Sequence, residues 1–281
     1  MLMNLKEILQ LAEEKKMAIG SFNVYNVESV QAVMAAARNT QSPAIVSFGE
    51  SYDKHMPLEA MASMFSYYAA HCELPLVLHL DHSKKLETIF RALKAGFTSI
   101  MYDGSALPLA ENIEQSRYVA DIAHGMGASV EGELGYMNPE DGTPAATGEQ
   151  GSFTSVADAR QYSRTSGADA LAIAIGNAHG IYKGEPKLDF GQLDSINKAV
   201  DIPLVLHGSS GIPDELLRKA IELGIRKINI NTEVSTTGIK ASREFLGANT
   251  DANTRFEAMT KAAEKQMTAV VEQYMDLFKR G

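Results

Sequence analysis

The chain is short of cysteine, of positive charge and of long apolar runs, and each shortage closes off a class of function. Cys72 is the only cysteine, which excludes an internal disulfide. It falls in a helix-like stretch and reads as packed rather than reactive. Lysine and arginine total 26 against 35 acidic residues, for a formal charge of -9. No basic cluster appears, so nucleic acid is excluded as a partner, because neutralising phosphates needs a basic surface. A small anionic substrate stays open, since a few aimed amides and one lysine suffice to hold it. No run approaches the roughly 20 apolar residues of a membrane span. The opening MLMNLKEILQLAEEKK is charged in its first turns and lacks a signal-peptide core. The expectation is a soluble cytoplasmic protein with no membrane partner.

What is present is a regular alternation. The 281 residues, 45% of them hydrophobic, suffice for a sizeable core and suit one α/β barrel better than two ordinary domains. Short apolar runs recur at residues 18–23, 44–48, 75–80, 98–102, 128–133, 169–175, 203–207 and 225–230. Several, such as LVLHL and ALAIAI, are apolar throughout, as strands of a parallel sheet covered on both faces should be. Between them lie helix-spaced stretches, among them Val30, Val33, Met34 and Ala37, and Ile113, Val119, Ile122 and Ala123. Asp189 is placed to cap one helix. The pattern predicts an α/β fold, a (β/α)8 TIM barrel forming a single domain over residues 1–281. A C-terminal helical extension follows, with Phe256, Met259, Met267, Val270, Val271, Tyr274 and Phe278 on helical spacing, to pack on the barrel or on another subunit. The one long irregular stretch, 134–153, is rich in Gly, Pro and acids and reads as a functional loop.

In such a barrel the active site gathers at the carboxyl ends of the strands. His82, His179 and His207 each sit at or just past such an end. Three imidazoles from separate strands form a tetrahedral ligand set with one position open to substrate, which suits a catalytic zinc. A lone histidine is more often a satisfied core or surface residue, and His55, His71, His79 and His124 keep that reading. Asp81, next to a proposed ligand but pointing the other way, can serve as an acid or base beside the metal; its bland reading is a helix N-cap before SKKLETIF. Glu131 and Glu133 share a strand face, so either can approach the metal or hold a ligand histidine from behind, and Glu133 is counted with the ligands. Asn23, Glu50 and Asn229 also fall at strand ends. The turns HGSSG and NINTE end the seventh and eighth strands, where barrels frequently bind phosphate. Gly208, Ser209, Ser210 and Thr232 suit such an anion, and Lys183 can add a point charge.

Taken in order, AIGSFNVYN, LHLDHS, MYDGS, VEGELG, GNAHGIYKGEP, LHGSSGI and KININ resemble the class II, zinc-dependent ketose-bisphosphate aldolases, over nearly the whole chain. The resemblance implies reversible cleavage of a ketose phosphate or bisphosphate to dihydroxyacetone phosphate and an aldehyde. It implies zinc on His82, His179 and His207, with Asp81 exchanging a proton with the aldehyde-derived oxygen. Gly180, Gly208 to Ser210, and Asn229, Ile230, Asn231 and Thr232 match the dihydroxyacetone-phosphate site, near which the family holds a monovalent cation, Na+ or K+. The base for the hydroxymethyl carbon corresponds to Glu140 in NPEDG. A homodimer or homotetramer acting on a small sugar phosphate is expected. The chain departs from the family at Asn138-Pro139, where Gly-Gly is usual, and at Gly49-Glu50-Ser51, where a Ser/Thr and glycine usually meet the aldehyde half. A carboxylate at Glu50 would repel an anionic aldehyde end. The competing readings are a barrel metallohydrolase, in which zinc activates water beside Asp81, and a sugar-phosphate-binding protein without turnover.

Overall fold

The computed structural model describes residues 1–135, 153–180, 182 and 184–279. Eight parallel strands close into a barrel in chain order: β1 (Ile19–Asn23), β2 (Ala44–Gly49), β3 (Leu76–Ser83), β4 (Ser99–Tyr102), β5 (Ser129–Leu134), β6 (Ala170–Ile173), β7 (Leu204–Leu206) and β8 (Ile225–Ile230). β8 pairs back onto β1, with Ser21 opposite Asn229. The expected (β/α)8 barrel is present, with strand limits a few residues from those the apolar runs suggest.

Helices α2 (Val27–Thr40), α3 (Leu58–Ala70), α4 (Leu86–Ala95), α5 (Leu109–Gly125), α6 (Val156–Thr165), α7 (Phe190–Asn197) and α8 (Asp214–Glu222) cover the strands from outside. Asp189 caps α7 by accepting the Gln192 N–H, as its position predicts. Cys72 lies just beyond α3 rather than within a helix, and is buried. The largest apolar cluster fills the layer between strands and helices. Beyond β8 come α9 (Thr232–Ala248) and α10 (Phe256–Phe278). The last helix packs along α2 and α9, so the extension lies on the barrel itself. Its first residue, Phe256, is exposed.

A second cluster fills the amino-terminal end of the barrel interior. Ile19, Ile45, Val77, Ala170, Ala172 and Val205 meet Leu5, Ile8, Leu9 and Ala12 of α1 (Leu5–Glu14). The charged residues of α1, Lys6, Glu7, Glu13 and Glu14, lie on the outer side of this amphipathic plug. Its start is fixed by a reciprocal cap: Asn4 Oδ1 accepts the Glu7 N–H while the Glu7 carboxylate accepts the Asn4 N–H.

Candidate active site

Side chains two apart on a strand share a face, and at the carboxyl end that parity places polar groups inside the barrel. Asn23 of β1 and Asn229 of β8 both donate to the buried Asp81 carboxylate of β3, at 2.9 and 3.2 Å. Two amides from the adjacent strands β1 and β8, neither of them paired with β3, therefore fix both of its oxygens.

By strict alternation His82 would face outward. The β3–β4 register slips between Leu80 and Ser83, and His82 takes a left-handed backbone, φ 47°. Such a conformation is rare and costly for a residue with a side chain, and bulges of this kind re-aim side chains beside active sites. Here it turns His82 into the same cleft as Asp81, so the two do not point in opposite directions. Asp81 belongs to the strand and caps no helix; the residue before α4 is Lys85.

His82, His179 and His207 offer ring nitrogens that all lie within 4.8 Å of one another. His207 Nδ1 is 3.0 Å from His82 Nε2, and its other nitrogen meets Glu131 Oε1 at 2.8 Å. A carboxylate can only accept, so His207 carries its proton on Nε2 and turns the Nδ1 lone pair toward His82. Behind it, Lys227 Nζ lies 2.8 and 3.1 Å from the two Glu131 oxygens, and all three side chains are fully buried. His82 Nδ1 faces Asp103 and Glu133 at 3.5 and 3.6 Å, which makes His82, Asp103 and Glu133 a second close group of potential ligands.

The electrostatics ask for a cation. Burial alone would lower the His82 pKa, yet the charges of Asp81, Asp103 and Glu133 raise it to about 10. Burial and the neighbouring Asp103 push Glu133 up to about 8. Burial lowers His207 to about 4, despite its Glu131 bond. Asp81 is held well below the usual carboxylate range, because the charges of His82, His207 and Lys227 outweigh its burial. Glu133 Oε2 and Asn229 Oδ1 are buried without a hydrogen-bond partner among the described residues. Nitrogen and carboxylate donors converging on a negative interior, with a carboxylate oxygen left over, fit a divalent ion such as zinc.

Next to the histidines the cleft is lined by Asn23, Asp81, Gly180, Gly208, Ser209, Ser210, Asn229, Asn231 and Thr232. Gly208 has φ 60°, and a Cβ there would sit 2.3 Å from the Ala178 carbonyl oxygen. Only glycine allows the β6 and β7 loops to approach so closely. Thr232 opens α9, which aims its N-terminus into the cleft; the preceding Asn231 makes no side-chain cap to it.

Every residue lining this cleft was marked by the strand-end pattern or the motifs. Three marked residues fall elsewhere. Ile230 is buried in the layer between strands and helices, so its side chain does not reach a ligand. Glu50 begins the short turn Glu50–Lys54 and accepts the Lys84 backbone N–H at 3.0 Å, with its other oxygen buried and without a partner among the described residues. Glu133 stands behind His82 rather than inside the histidine group. Glu140 and Lys183 lie outside the described residues. His79 exceeds its bland reading: fully buried, it meets Ser99 Oγ at 2.7 Å and puts Nε2 3.7 Å from Glu131 and 3.9 Å from Asp81. Burial holds it neutral, with its pKa lowered to about 3. Lys227 was missed altogether. Its parity with Asn229, two residues on, is the signal that would have found it.

A (β/α)8 barrel with imidazoles, carboxylates and a helix N-terminus at its carboxyl mouth is a scaffold whose side chains could hold a metal ion beside an anion. The particular chemistry comes from kinship: the chain belongs to the class II fructose-bisphosphate aldolase family, whose model matches residues 3–281. It is an aldolase, a carbon–carbon lyase, and the hydrolase and non-catalytic readings give way. Among solved structures, the YdjI aldolase from Escherichia coli K12 is 34% identical, with a TM-score of 0.89 over 100% of this chain and 98% of that one. A proposed fructose-1,6-bisphosphate aldolase from Coccidioides immitis is 29% identical, with a TM-score of 0.90 over 99% and 97%. The Campylobacter jejuni fructose-bisphosphate aldolase, at 22% identity and a TM-score of 0.85 over 100% and 97%, shares the fold.

Proposed function

We propose that the enzyme reversibly cleaves a ketose phosphate or bisphosphate to dihydroxyacetone phosphate and an aldehyde, with one zinc held by His82, His179 and His207. The observation that carries this reading is the histidine group, its nitrogens within 4.8 Å of one another, of which His82 and His179 line the same cleft as Asp81. When bound, the zinc supplies Lewis-acid stabilisation of the negative charge that develops as the carbon–carbon bond breaks. Glu133 and Asp103 orient His82 from its far side, and Glu131 with Lys227 does the same for His207.

Asp81 takes the proton from the hydroxyl that becomes the aldehyde oxygen, and returns it in the direction of condensation. Its two amide donors aim the carboxylate, and the charges of His82, His207 and Lys227 keep it ionised. The phosphate of dihydroxyacetone phosphate lies against Gly180, Gly208, Ser209, Ser210, Asn231 and Thr232 at the α9 N-terminus. Lys183 adds charge to that anion, with a Na+ or K+ ion nearby. Glu140 removes the hydroxymethyl carbon proton during condensation, following the family motif. Glu50, outside the cleft lining and bonded to the Lys84 N–H, disfavours a phosphorylated aldehyde end through its charge alone. The enzyme acts as one domain over residues 1–281, in the cytoplasm, as a homodimer or homotetramer.

A panel of ketose phosphates and bisphosphates, assayed for dihydroxyacetone-phosphate release with and without a chelator, tests this reading. Chelator-sensitive release from at least one ketose is expected. Cleavage that yields no dihydroxyacetone phosphate, or that ignores the chelator, would overturn it.

A further inference from the structure

The anion end of the cleft rests on a contact that reaches the last helix. Thr232 and Glu233 are the first two residues of α9, and Asn231 before them spends its amide elsewhere: its Nδ2 donates to Tyr52 Oη at 3.0 Å, and its Oδ1 accepts from Tyr25 Oη at 3.4 Å. The helix therefore begins without a side-chain cap. Its Glu233 N–H instead donates to Ser210 Oγ at 3.3 Å, and Ser210 lines the cleft.

A carboxylate in the first turn of a helix is drawn to that turn's own N–H groups and to the positive end of its dipole. Glu233 sits where it can become an internal rival to any external anion. Its carboxylate is held away: Tyr274 of α10, itself largely buried, donates its phenol O–H to Glu233 Oε2. On the wall of the same cleft, the buried Asn229 Oδ1 has no hydrogen-bond partner among the described residues.

We propose that Tyr274 is a positioning residue for the anion end of the cleft: by tying back the Glu233 carboxylate, it keeps the first-turn N–H groups of α9 that are not given to Ser210 available to a phosphate. The inference rests on the phosphate placement argued above. It gives the C-terminal helix a part in substrate binding beyond packing.

The test uses the full chain loaded with zinc, probed with inorganic phosphate and with dihydroxyacetone phosphate. Tyr274→Phe keeps the ring and removes the donor. The Kd for both probes should rise about three- to tenfold, the size of a first-turn charge effect. KM should rise with it while kcat stays close to wild type. The deciding variant adds Glu233→Gln to Tyr274→Phe: removing the rival charge should restore most of the lost affinity, which a merely structural role would not do. A Tyr274→Phe protein that loses thermal stability but keeps its Kd would overturn the inference, as would a double variant binding no better than the single one. If wild type binds neither probe, the phosphate placement fails and this inference with it; if wild type binds and the variants match it, only the inference fails.

Discussion

Toward its amino-terminal end the barrel interior holds Ile19, Ile45, Val77, Ala170, Ala172 and Val205 under the apolar face of α1. The site end of the interior, drawn mainly from β3, β5 and β8, holds His79, Asp81, Glu131, Glu133, Lys227 and Asn229, all buried. Lys227 stands in register with Ile19 and Val205 of the neighbouring strands, so strand geometry does not set the two groups apart. The lower end gains free energy from each apolar group it takes out of water, on the order of 2 kcal/mol per large side chain. The upper end takes charges out of water, and even a well-made buried ion pair seldom recovers that cost. One end stabilises the barrel and the other spends stability on a site. The division should be visible in variants, because damage below should appear in stability and damage above in turnover or metal binding.

The largest effect is expected at Asp81. Asp81→Asn should lower kcat by about two to four orders of magnitude with zinc content unchanged, since its part is proton transfer. Loss of zinc comparable to that of a histidine variant would move Asp81 into the ligand set.

Lys227→Met comes next. It strands the Glu131 charge in the interior and should cost about 3–5 kcal/mol in denaturant unfolding. Adding Glu131→Gln should recover part of that, because the uncompensated charge is then gone. A single variant as stable as wild type would mean the upper end is less dry than its burial indicates.

Below, Leu9→Ala in the plug should cost about 2–5 kcal/mol of stability while kcat at low temperature stays near wild type. A large fall in kcat with intact stability would erase the distinction between the two ends.

The two ends were also unequally legible. Apolar runs such as ALAIAI marked the strands because a strand buried on both faces has no choice but to be apolar. The α1 plug was harder to see, since its four buried residues share a short charged segment and are apolar on only one side. At the upper end, the motif residues told which side chains meet but not how. The left-handed turn at His82 follows from β3 slipping against β4, a tertiary event with no local mark such as glycine. Lys227 was hidden because a lysine in a strand reads as an edge or surface residue until its partner, 96 positions earlier, is known.

The smallest expected effect sharpens the picture at the rim. Glu50→Ser should raise kcat/KM for bisphosphates relative to ketose 1-phosphates by about fivefold, the worth of roughly 1 kcal/mol between charges near 4 Å. If wild type already prefers bisphosphates and the ratio does not move, Glu50 serves the Lys84 backbone alone.

The most direct test of the upper end as a cation site is a calorimetric zinc titration of the metal-free protein near pH 7, repeated in buffers of different ionisation enthalpy. With its pKa raised to about 10, His82 is protonated at that pH and must give up its proton to bind metal. Its raised value stabilises the metal-free fold fully below about pH 6.5. That contribution fades as pH rises through about 10, so zinc should bind more tightly as pH increases. The account predicts about one zinc per chain with net proton release, and loss of that binding in His207→Ala. Tight binding that survives His207→Ala would place the metal on His82, Asp103 and Glu133 instead, and no binding in wild type would contradict the account outright.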